Sequence, residues 1–439
     1  MNEHLEVRIH DDGAPRVVGQ LVDAGPGPHF QYAPSFLQNG VELSPVQLAR
    51  DTRVFPPGPN GLHRLQGLFF DSLPDGWGLK LLHQAMRDAG LDVARSSAVT
   101  WLRALGTHAM GALTFHPPVD ALPDRPGDLP DLATLAEEAR VVEAHDIAHV
   151  LPALTRAGGS SGGARPKIVA GWHESGAIVD AFAPLPSGYR PALIKFAARS
   201  EPADAPLVEA AYLSMAALAG IDVPGHQVHA LPKHRWALIV NRFDRVGDAR
   251  RHVHTLAGLL GADIRHDFID YETLLKVALH LTNDFRVVFA AWQRAAFNVG
   301  ACNRDDHARN IAFQMAPDGT WSLAPAYDLT YAEGPRGYHT MAVAGESRAP
   351  GRVDLLRLAE NIGLARAEAD RGLDQVRTGL DAWPQCAKAF DVPRARLGAI
   401  GAVIADQSAA LAPATSAPRV QPEPTSSRAP KVKPAPRSR

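Results

Sequence analysis

Apolar and polar residues alternate from Leu5 to Ile9, which is the pattern of a strand with one buried face. A second apolar stretch at 17–22 follows turn residues at 11–13, so the two segments are predicted to form a hairpin. Between 76 and 106 the apolar positions recur every three or four residues, which predicts helices. The amino-terminal part is therefore expected to mix strands and helices.

Farther along the chain, strand-like and helix-like segments separate into two halves. Elements of the first half are predicted at 167–172, 191–197 and 236–241 as strands and at 205–219 as a helix. Helical periodicity then dominates to about 300 and again over 352–411. Prolines mark a linker at 117–130, and an acidic helix is predicted at about 131–145. A β-rich half is expected to precede a helical half.

The composition is that of a soluble protein with more than one domain. At roughly 150 residues per domain, the 439 residues allow two or three domains. The 45 basic and 47 acidic residues nearly balance, which argues against coating of nucleic acid or of a membrane surface. Cys302 and Cys386 are too few for a disulfide framework or a cysteine-ligated zinc. No apolar stretch approaches the ~18 residues of a membrane helix. The amino terminus lacks the pattern of a secretory signal, so a cytoplasmic protein without membrane contact is expected.

Residues 412–439 differ from the rest of the chain. They contain seven prolines, six Lys or Arg, one acidic residue and no aromatic residue. Such a segment cannot bury enough apolar surface to offset its chain entropy, so a disordered tail is predicted. It is either a solvated terminus or a weak electrostatic arm for nucleic acid or an acidic partner.

Four glycines lie within 158–163, and Lys167 follows shortly after them. Glycine-rich turns let the backbone approach a ligand and direct several N–H groups at phosphate oxygens. The Walker A pattern is absent, so a phosphate-binding loop and a plain flexible loop are both open interpretations. Ser160 and Ser161 could be phosphorylated, and a dianion there would compete for the same N–H groups and force the loop outward.

Lys195 lies near the end of a predicted strand, and Glu209 follows in the first turns of the next predicted helix. A strand lysine can pair with nucleotide phosphates, and a helix glutamate can hold its ammonium group in place. Taken singly, the two residues would be a surface lysine and a glutamate favoured by the helix dipole. The polar turn at 241–245 follows a buried strand, as expected of a hinge that contacts adenine between two lobes.

The strongest pattern is the pair Asp305 and Asn310, which has the D-x-x-x-x-N spacing of a protein-kinase catalytic loop. A carboxylate can accept the proton of an incoming hydroxyl, and an amide oxygen can bind magnesium. An apolar stripe predicts a buried helix that ends at Gly300, directly before this loop. A hairpin with an Asp-Gly turn at 311–323 would return Asp328 beside Asn310, where a second carboxylate can bind the magnesium of ATP.

Histidines give a weaker signal. His252 and His254 would share one face of a strand and could share a metal. Because no third ligand lies at a recognisable spacing, they are expected to be surface or capping residues. His307 lies inside the catalytic-loop pattern, where it would contact nucleotide or orient Asp305.

These motifs together resemble the HipA-type serine/threonine kinases, which are toxins of bacterial toxin–antitoxin pairs. Residues 69–76, Phe-Phe-Asp-Ser-Leu-Pro-Asp-Gly, are similar to the family segment F-F-D-x-L-L-P-E-G, and 160–167 are similar to its phosphate loop. Residues 241–245 resemble the hinge E-R-F-D-R, with asparagine in place of glutamate. Residues 305–310 resemble D-G-H-A-K-N, with arginine in place of lysine, and Asp328 completes a Y-D pair. The resemblance spans about residues 5 to 405.

The resemblance implies an α+β, two-lobed protein-kinase-like fold that uses ATP and Mg2+. Its parts would be an amino-terminal subdomain at 1–118, the remainder of a β-rich N-terminal lobe at 119–245, a mainly α-helical C-terminal lobe at 246–411 and the tail. Asp305 would be the catalytic base, Ser160 the site of inactivating autophosphorylation, and Glu209 the partner of Lys195. Asn310 and Asp328 would bind the metal. The residues expected to bind nucleotide are Gly162, Gly163, Ala164, Arg165, Pro166, Lys167, Lys195, Asn241, Phe243, His307, Asn310 and Asp328.

The resemblance also implies partners. These are a helix-turn-helix antitoxin, DNA reached only through that antitoxin, and a protein substrate such as an aminoacyl-tRNA synthetase or a translation factor. One alternative is a small-molecule or lipid kinase, because D-x-H-x-x-N also occurs in phosphatidylinositol-type kinases. Another is a non-catalytic protein that binds the antitoxin in transcriptional repression. The intact Lys195, Asp305, Asn310 and Asp328 favour catalysis over this last alternative.

Overall fold

The computed structural model describes residues 3–11, 13–23, 25, 27–119, 129–143, 152–158, 163–247 and 249–413. The predicted modification site Ser160, the neighbouring Ser161, and Gly162 lie outside the described residues. The predicted tail lies outside them as well, apart from its first two residues.

Strands and helices are numbered in chain order. The strands are β1 Glu3–Ile9, β2 Arg16–Asp23, β3 Pro28–Tyr32, β4 Leu113–His116, β5 Lys167–Trp172, β6 Ile178–Asp180, β7 Arg190–Phe196, β8 His226–Leu231, β9 Arg235–Asn241, β10 Arg245–Val246, β11 Ala249–Arg250, β12 His252–Thr255, β13 Ala312–Met315 and β14 Trp321–Leu323. The helices are α1 Pro34–Asn39, α2 Gly67–Phe70, α3 Gly76–Asp88, α4 Ala98–Leu105, α5 Leu132–Glu143, α6 Pro152–Gly158, α7 Ala205–Leu218, α8 Leu256–Leu260, α9 Tyr271–Thr282, α10 Phe285–Gly300, α11 Arg352–Ile362, α12 Arg366–Asp381, α13 Trp383–Ala389 and α14 Arg394–Ala410.

The amino-terminal sheet is antiparallel and has the strand order β3-β2-β1-β4. The predicted hairpin is confirmed, because Leu5 lies opposite Leu21 in β2. Leu5, Val7 and Ile9 are fully buried while the residues between them are partly exposed. Alternation in the sequence therefore identified the buried face of this strand.

The second sheet is also antiparallel, with the order β6-β5-β7-β9-β8. The strands predicted at 167–172, 191–197 and 236–241 are confirmed within one residue. The register of β5 and β7 places Lys167 directly opposite Lys195. Like charges in this arrangement repel each other, so the pair needs carboxylates nearby.

The helical half contains α8 to α14 and the predicted hairpin β13–β14, whose turn includes Gly319 with a φ of +89°. Helix α10 ends at Gly300 as predicted. Helical periodicity did not reveal the short strands β10 to β12 that precede these helices. Strand β12 pairs with β13, some 60 residues later. Such long-range pairing leaves no local period in the sequence.

The prediction that His252 and His254 are surface or capping residues is wrong, because both are buried. His252 Nε2 lies 2.9 Å from the Leu43 carbonyl, and His254 lies between Asp71 and Ser44. The metal alternative receives no support either: over the described ranges, no three His, Cys, Asp or Glu side chains form a group suited to hold a metal ion. These histidines instead connect β12 to the amino-terminal part.

Buried apolar side chains of the described residues form two clusters. The larger extends from the amino-terminal sheet through α7 into the helical half and reaches Leu411. The smaller packs α5 and α6 against β5, β7 and β9. The amino-terminal part and the helical lobe therefore share one continuous core and hold each other in place. In the described chain, no helix combines the length and the apolar character needed to cross a membrane.

Candidate active site

Three side chains from separate elements meet at one end of the five-stranded sheet. Lys195 lies on β7, Glu209 lies in α7, and Asp328 follows β14 after the hairpin. The Lys195 ammonium group lies 2.5 Å from Glu209 Oε1 and also donates to Asp328 Oδ1. Lys195 and Glu209 are almost entirely buried, so their charges have to compensate each other.

The charges of this cluster shift the pKa values of its members. Burial opposes a charged Lys195, but the carboxylates of Asp328 and Glu209 outweigh it and raise its pKa. Burial likewise opposes the charge on Asp328, yet Lys195 and Lys167 lower its pKa well below the usual range. Burial lowers the pKa of Lys167, because the charged form loses its hydration. Lys195 and Asp328 therefore stabilise each other's charged forms, whereas burial disfavours the charged form of Lys167.

The loop after α10 presents Asp305 to solvent, with 63% of its side chain exposed. Asn310 shapes this loop, because its Nδ2 donates to the Asp305 carbonyl at 2.8 Å. Partial desolvation in the cleft raises the Asp305 pKa; the Asp328 charge adds to this rise, while His307 opposes it. Asp305 and Asp328 are thus close enough to influence each other's charge.

His307 lies beside the predicted base. Its Nε2 is 3.9 Å from Asp305 Oδ1. Its Nδ1 is buried and has no hydrogen-bond partner among the described residues. A buried ring nitrogen without a partner is costly, so this atom is a candidate contact for a ligand in the cleft.

Behind the loop, Asp306 is 1% exposed and accepts three hydrogen bonds. The donors are the Tyr271 hydroxyl at 2.7 Å, His339 Nδ1 at 2.9 Å and the Thr340 backbone N–H at 2.8 Å. Sequence reasoning missed this role. The only signal was an aspartate at the position where the motif D-G-H-A-K-N has glycine.

The hairpin β13–β14 brings Asp328 back to the catalytic-loop segment. The hydroxyl of the preceding Tyr327 donates to the Arg309 carbonyl at 2.8 Å. The Tyr327 ring stacks on Phe243 of the predicted hinge, with centroids 6.0 Å apart. Tyr327 therefore connects the predicted hinge to the segment that contains Asn310, and Asp328 follows it directly.

Asn241 lies at the end of β9, and its side chain is already engaged. Its Oδ1 accepts a hydrogen bond from Arg190 Nε at 2.7 Å, and its backbone N–H donates to the Gly225 carbonyl. The next hinge residues form a buried network in which Asp244 binds both Arg242 and Arg245. Burial opposes the charge on Asp244, but the two arginines lower its pKa well below the usual range.

Only part of the predicted phosphate loop can be described, from Gly163 to Lys167. The Gly163 N–H donates to Asp75, and Arg165 binds Glu201 at 2.7 Å and Glu209 at 3.2 Å. Ala164 is exposed and Pro166 is buried. Asp75 belongs to the amino-terminal motif at 69–76, for which sequence reasoning had assigned no role.

The donor atoms in the cleft suit a hard divalent cation. Asn310 and Asp328 offer an amide oxygen and carboxylate oxygens, and Mg2+ prefers one or two such ligands, completing its shell with phosphates and water. The Asn310 amide nitrogen is occupied by the Asp305 carbonyl, which leaves its oxygen for a ligand. The residues present therefore fit magnesium.

Two protein-family models match this chain. The model of the HipA N-terminal domain matches residues 5–116, and that of the HipA-like C-terminal domain matches residues 159–383. No match was found among the curated proteins. One similar structure is HipA from Shewanella oneidensis MR-1, solved with HipB and operator DNA. It is 18% identical with a TM-score of 0.65, covering 92% of this chain and 96% of that one. A Helicobacter pylori proinflammatory kinase, CtkA, is 14% identical with a TM-score of 0.35, covering 51% of this chain and 88% of that one.

The two family models cover different sheets of the structure. One covers the amino-terminal sheet and its helices, and the other covers the five-stranded sheet and most of the helical half. The Shewanella structure matches nearly the whole chain, so the expected two-lobed α+β fold is confirmed. Because the C-terminal model alone matches more than half of the residues, the chain belongs to the HipA family of toxins.

Proposed function

We propose that this protein is an ATP- and magnesium-dependent serine/threonine protein kinase. The observation that carries the proposal is the meeting of Lys195, Glu209 and Asp328 next to the loop of Asp305 and Asn310. A protein kinase needs a lysine held by a glutamate, a metal-binding aspartate, and a base with a neighbouring asparagine. Each of these residue types is present in the cleft.

The buried lysine would bind nucleotide phosphates. Lys195 pairs with both Glu209 and Asp328. The contact with Glu209 would keep the ammonium group oriented while the contact with Asp328 is exchanged for one with a phosphate. The segment from Gly163 to Lys167 would cover the phosphates, and Phe243 would line the adenine side. Magnesium, held by Asn310 and Asp328, would neutralise charge on the transferred phosphoryl group.

Asp305 would act on the acceptor. Its exposed carboxylate can orient a serine or threonine hydroxyl and take its proton as the hydroxyl oxygen bonds to the γ-phosphorus. The bond from that phosphorus to the β-phosphate bridging oxygen breaks, and ADP leaves with the electron pair. The raised pKa of Asp305 makes its carboxylate a stronger base than an ordinary aspartate.

The test is ³²P transfer from labelled ATP by Asp305→Asn. Transfer should fall at least about 100-fold, while ATP binding measured by calorimetry persists. Asp374→Asn, on the exposed face of α12, is the matched control and should keep full activity. Full activity of Asp305→Asn would remove this residue as the base.

The acceptor needs its own experiment, because the catalytic residues of protein, lipid and small-molecule kinases are alike. We infer a protein acceptor from family membership. Labelled ATP should be offered to a cell lysate, to phosphoinositides and to small polyols. Phosphorylation of lipids or polyols alone would replace the protein acceptor with the alternative class.

Family membership also supports regulation and partners. We propose that autophosphorylation at Ser160 switches the enzyme off and that a helix-turn-helix antitoxin binds it, with operator DNA reached through that antitoxin. The Shewanella protein was solved with HipB and operator DNA.

Phosphoproteomics of cells expressing the active protein or Asp305→Asn would identify the substrate, for which an aminoacyl-tRNA synthetase or a translation factor is the first candidate. ATP binding without any transfer would favour a non-catalytic corepressor.

A further inference from the structure

The amino-terminal part of the chain reaches the phosphate loop through the start of α3. The Gly163 N–H donates to Asp75 Oδ1, and the Gly163 carbonyl accepts from the Trp77 N–H at 3.2 Å. The Trp77 indole N–H donates to the Lys167 carbonyl at 2.9 Å. Gly163 and Lys167, the first and last residues of this described segment, are therefore both bound by the amino-terminal part of the chain.

Gly76 lets these contacts form. It adopts a φ of +43°, and a Cβ at this position would lie 2.9 Å from Ala164 Cα and 3.1 Å from the Gly163 carbonyl oxygen. A side chain would force the two backbones apart. The close approach of α3 to the loop therefore requires a glycine at position 76.

The second carboxylate oxygen of Asp75 faces the catalytic loop. Arg309 Nη1 lies 2.9 Å from Asp75 Oδ2, and the Arg309 guanidinium group stacks 4.8 Å above the ring of Phe70. Arg309 directly precedes Asn310 in the catalytic-loop motif. One carboxylate therefore binds the phosphate loop with one oxygen and the catalytic loop with the other.

The segment that contains Asp75 is itself fixed to the helical lobe. Asp71 accepts hydrogen bonds from the Thr255 N–H at 2.7 Å and the Thr255 hydroxyl at 2.8 Å, and it lies 2.6 Å from His254 Nδ1. These bonds join it to β12 and to the start of α8. Asp75 is thus anchored to the lobe that contains the catalytic loop, and it holds the phosphate loop relative to that lobe.

We propose that Asp75 is a positioning residue that couples the phosphate loop to the catalytic loop, so that the amino-terminal subdomain is part of the active site. This inference rests on the proposed kinase function and deepens it. Without the bridge, the segment from Gly163 to Lys167 would be held less firmly, and ATP would bind more weakly. Within the described chain, Arg309 contacts this segment only through Asp75, so the loss of Arg309 should add little once Asp75 has been replaced.

The experiment compares Asp75→Asn, Arg309→Gln, the double variant and Asp88→Asn. Asp88 is exposed at the far end of α3 and is the matched control. We expect each single variant to raise the KM for ATP roughly 3- to 10-fold, with a smaller change in kcat. The double variant should be no worse than Asp75→Asn alone, because the Arg309 contact is already lost with the Asp75 charge. Arg309→Lys keeps the charge and should restore most of the affinity.

A second readout does not depend on catalysis. Hydrogen exchange of the Gly163 amide in the nucleotide-free protein should be faster in Asp75→Asn than in wild type or Asp88→Asn, because that amide loses its charged acceptor. Unchanged exchange together with an unchanged KM would overturn the inference, as would additive effects in the double variant. A wild-type protein without phosphotransfer would instead refute the proposed function, and the exchange experiment would still test the bridge.

Discussion

Replacement of Glu209 by glutamine removes one of the two carboxylates that compensate a buried lysine. Glu209 and Lys195 have side chains that are 3% and 5% exposed, so the solvent cannot replace the lost charge. Breaking a buried pair from one side costs about 3–5 kcal/mol. Glutamine keeps an acceptor oxygen and Asp328 still binds Lys195, so we expect a loss of about 2 kcal/mol in the free energy of unfolding.

The assay is thermal unfolding followed by tryptophan fluorescence. The shift per kcal/mol is roughly 2–4 °C for 150–250 residues and smaller for a larger cooperative unit, so the Tm of Glu209→Gln should fall by at most about 4–8 °C. Glu201→Gln is the matched control, because Glu201 binds Arg165 at the partly exposed edge of the same cluster and does not bind Lys195. Its effect should stay below about 1 kcal/mol.

The double variant Lys195→Met/Glu209→Gln distinguishes the loss of charge compensation for Lys195 from the loss of side-chain packing. Removing the lysine as well leaves no excess buried cation, so the double variant should be less destabilised than the sum of the single variants. Equal effects of Glu209→Gln and Glu201→Gln would refute the reasoning. So would a double variant whose loss equals or exceeds the sum.

Three further outcomes follow from other parts of the molecule. Asp306→Asn should lose roughly 1.5–3 kcal/mol in unfolding free energy and most phosphotransfer, since the catalytic loop loses its buried anchor; unchanged activity would contradict this anchoring role. Gly76→Ala should lower stability and raise the KM for ATP more than Gly90→Ala, because both glycines have positive φ but only Gly76 faces Ala164 within 3 Å; equal effects would show that the close approach is unimportant. Burial, with a smaller contribution from the neighbouring histidine, lowers the pKa of His252 to about 4. The unfolded state therefore binds more protons between about pH 4 and 6.5, and acidification across that window should cost up to about 3 kcal/mol. His252→Gln should flatten this part of the pH profile of urea unfolding, and an unaltered slope would exclude His252 as its cause.

Local patterns in the sequence carried most of the secondary structure. Alternation identified β1 and its buried face, and helical periodicity identified α7 and the end of α10 at Gly300. The order of the motifs predicted the family and the two-lobed fold, which the family models and the Shewanella structure confirm. These signals are local because a strand or a helix sets the direction of each side chain from its position alone.

No local pattern predicted which residues the buried charges would contact. Asp75 meets Gly163 and Arg309, and Asp71 meets His254, across 88 to more than 230 residues of chain. The wrong expectation for the two histidines of β12 has the same origin, because a strand pattern does not tell which subdomain will cover its face. Contacts of this kind depend on how whole elements pack against one another.

By itself, the sequence determined most of the longer elements, their order and the residue types available for phosphoryl transfer. Tertiary structure decided which of those residues share a cleft, that Lys167 stands opposite Lys195, and that an aspartate of the amino-terminal subdomain touches both loops. The physical reason is that backbone period is fixed by neighbours in the chain, whereas the pairing of buried charges is fixed by strand register and by the packing of the core.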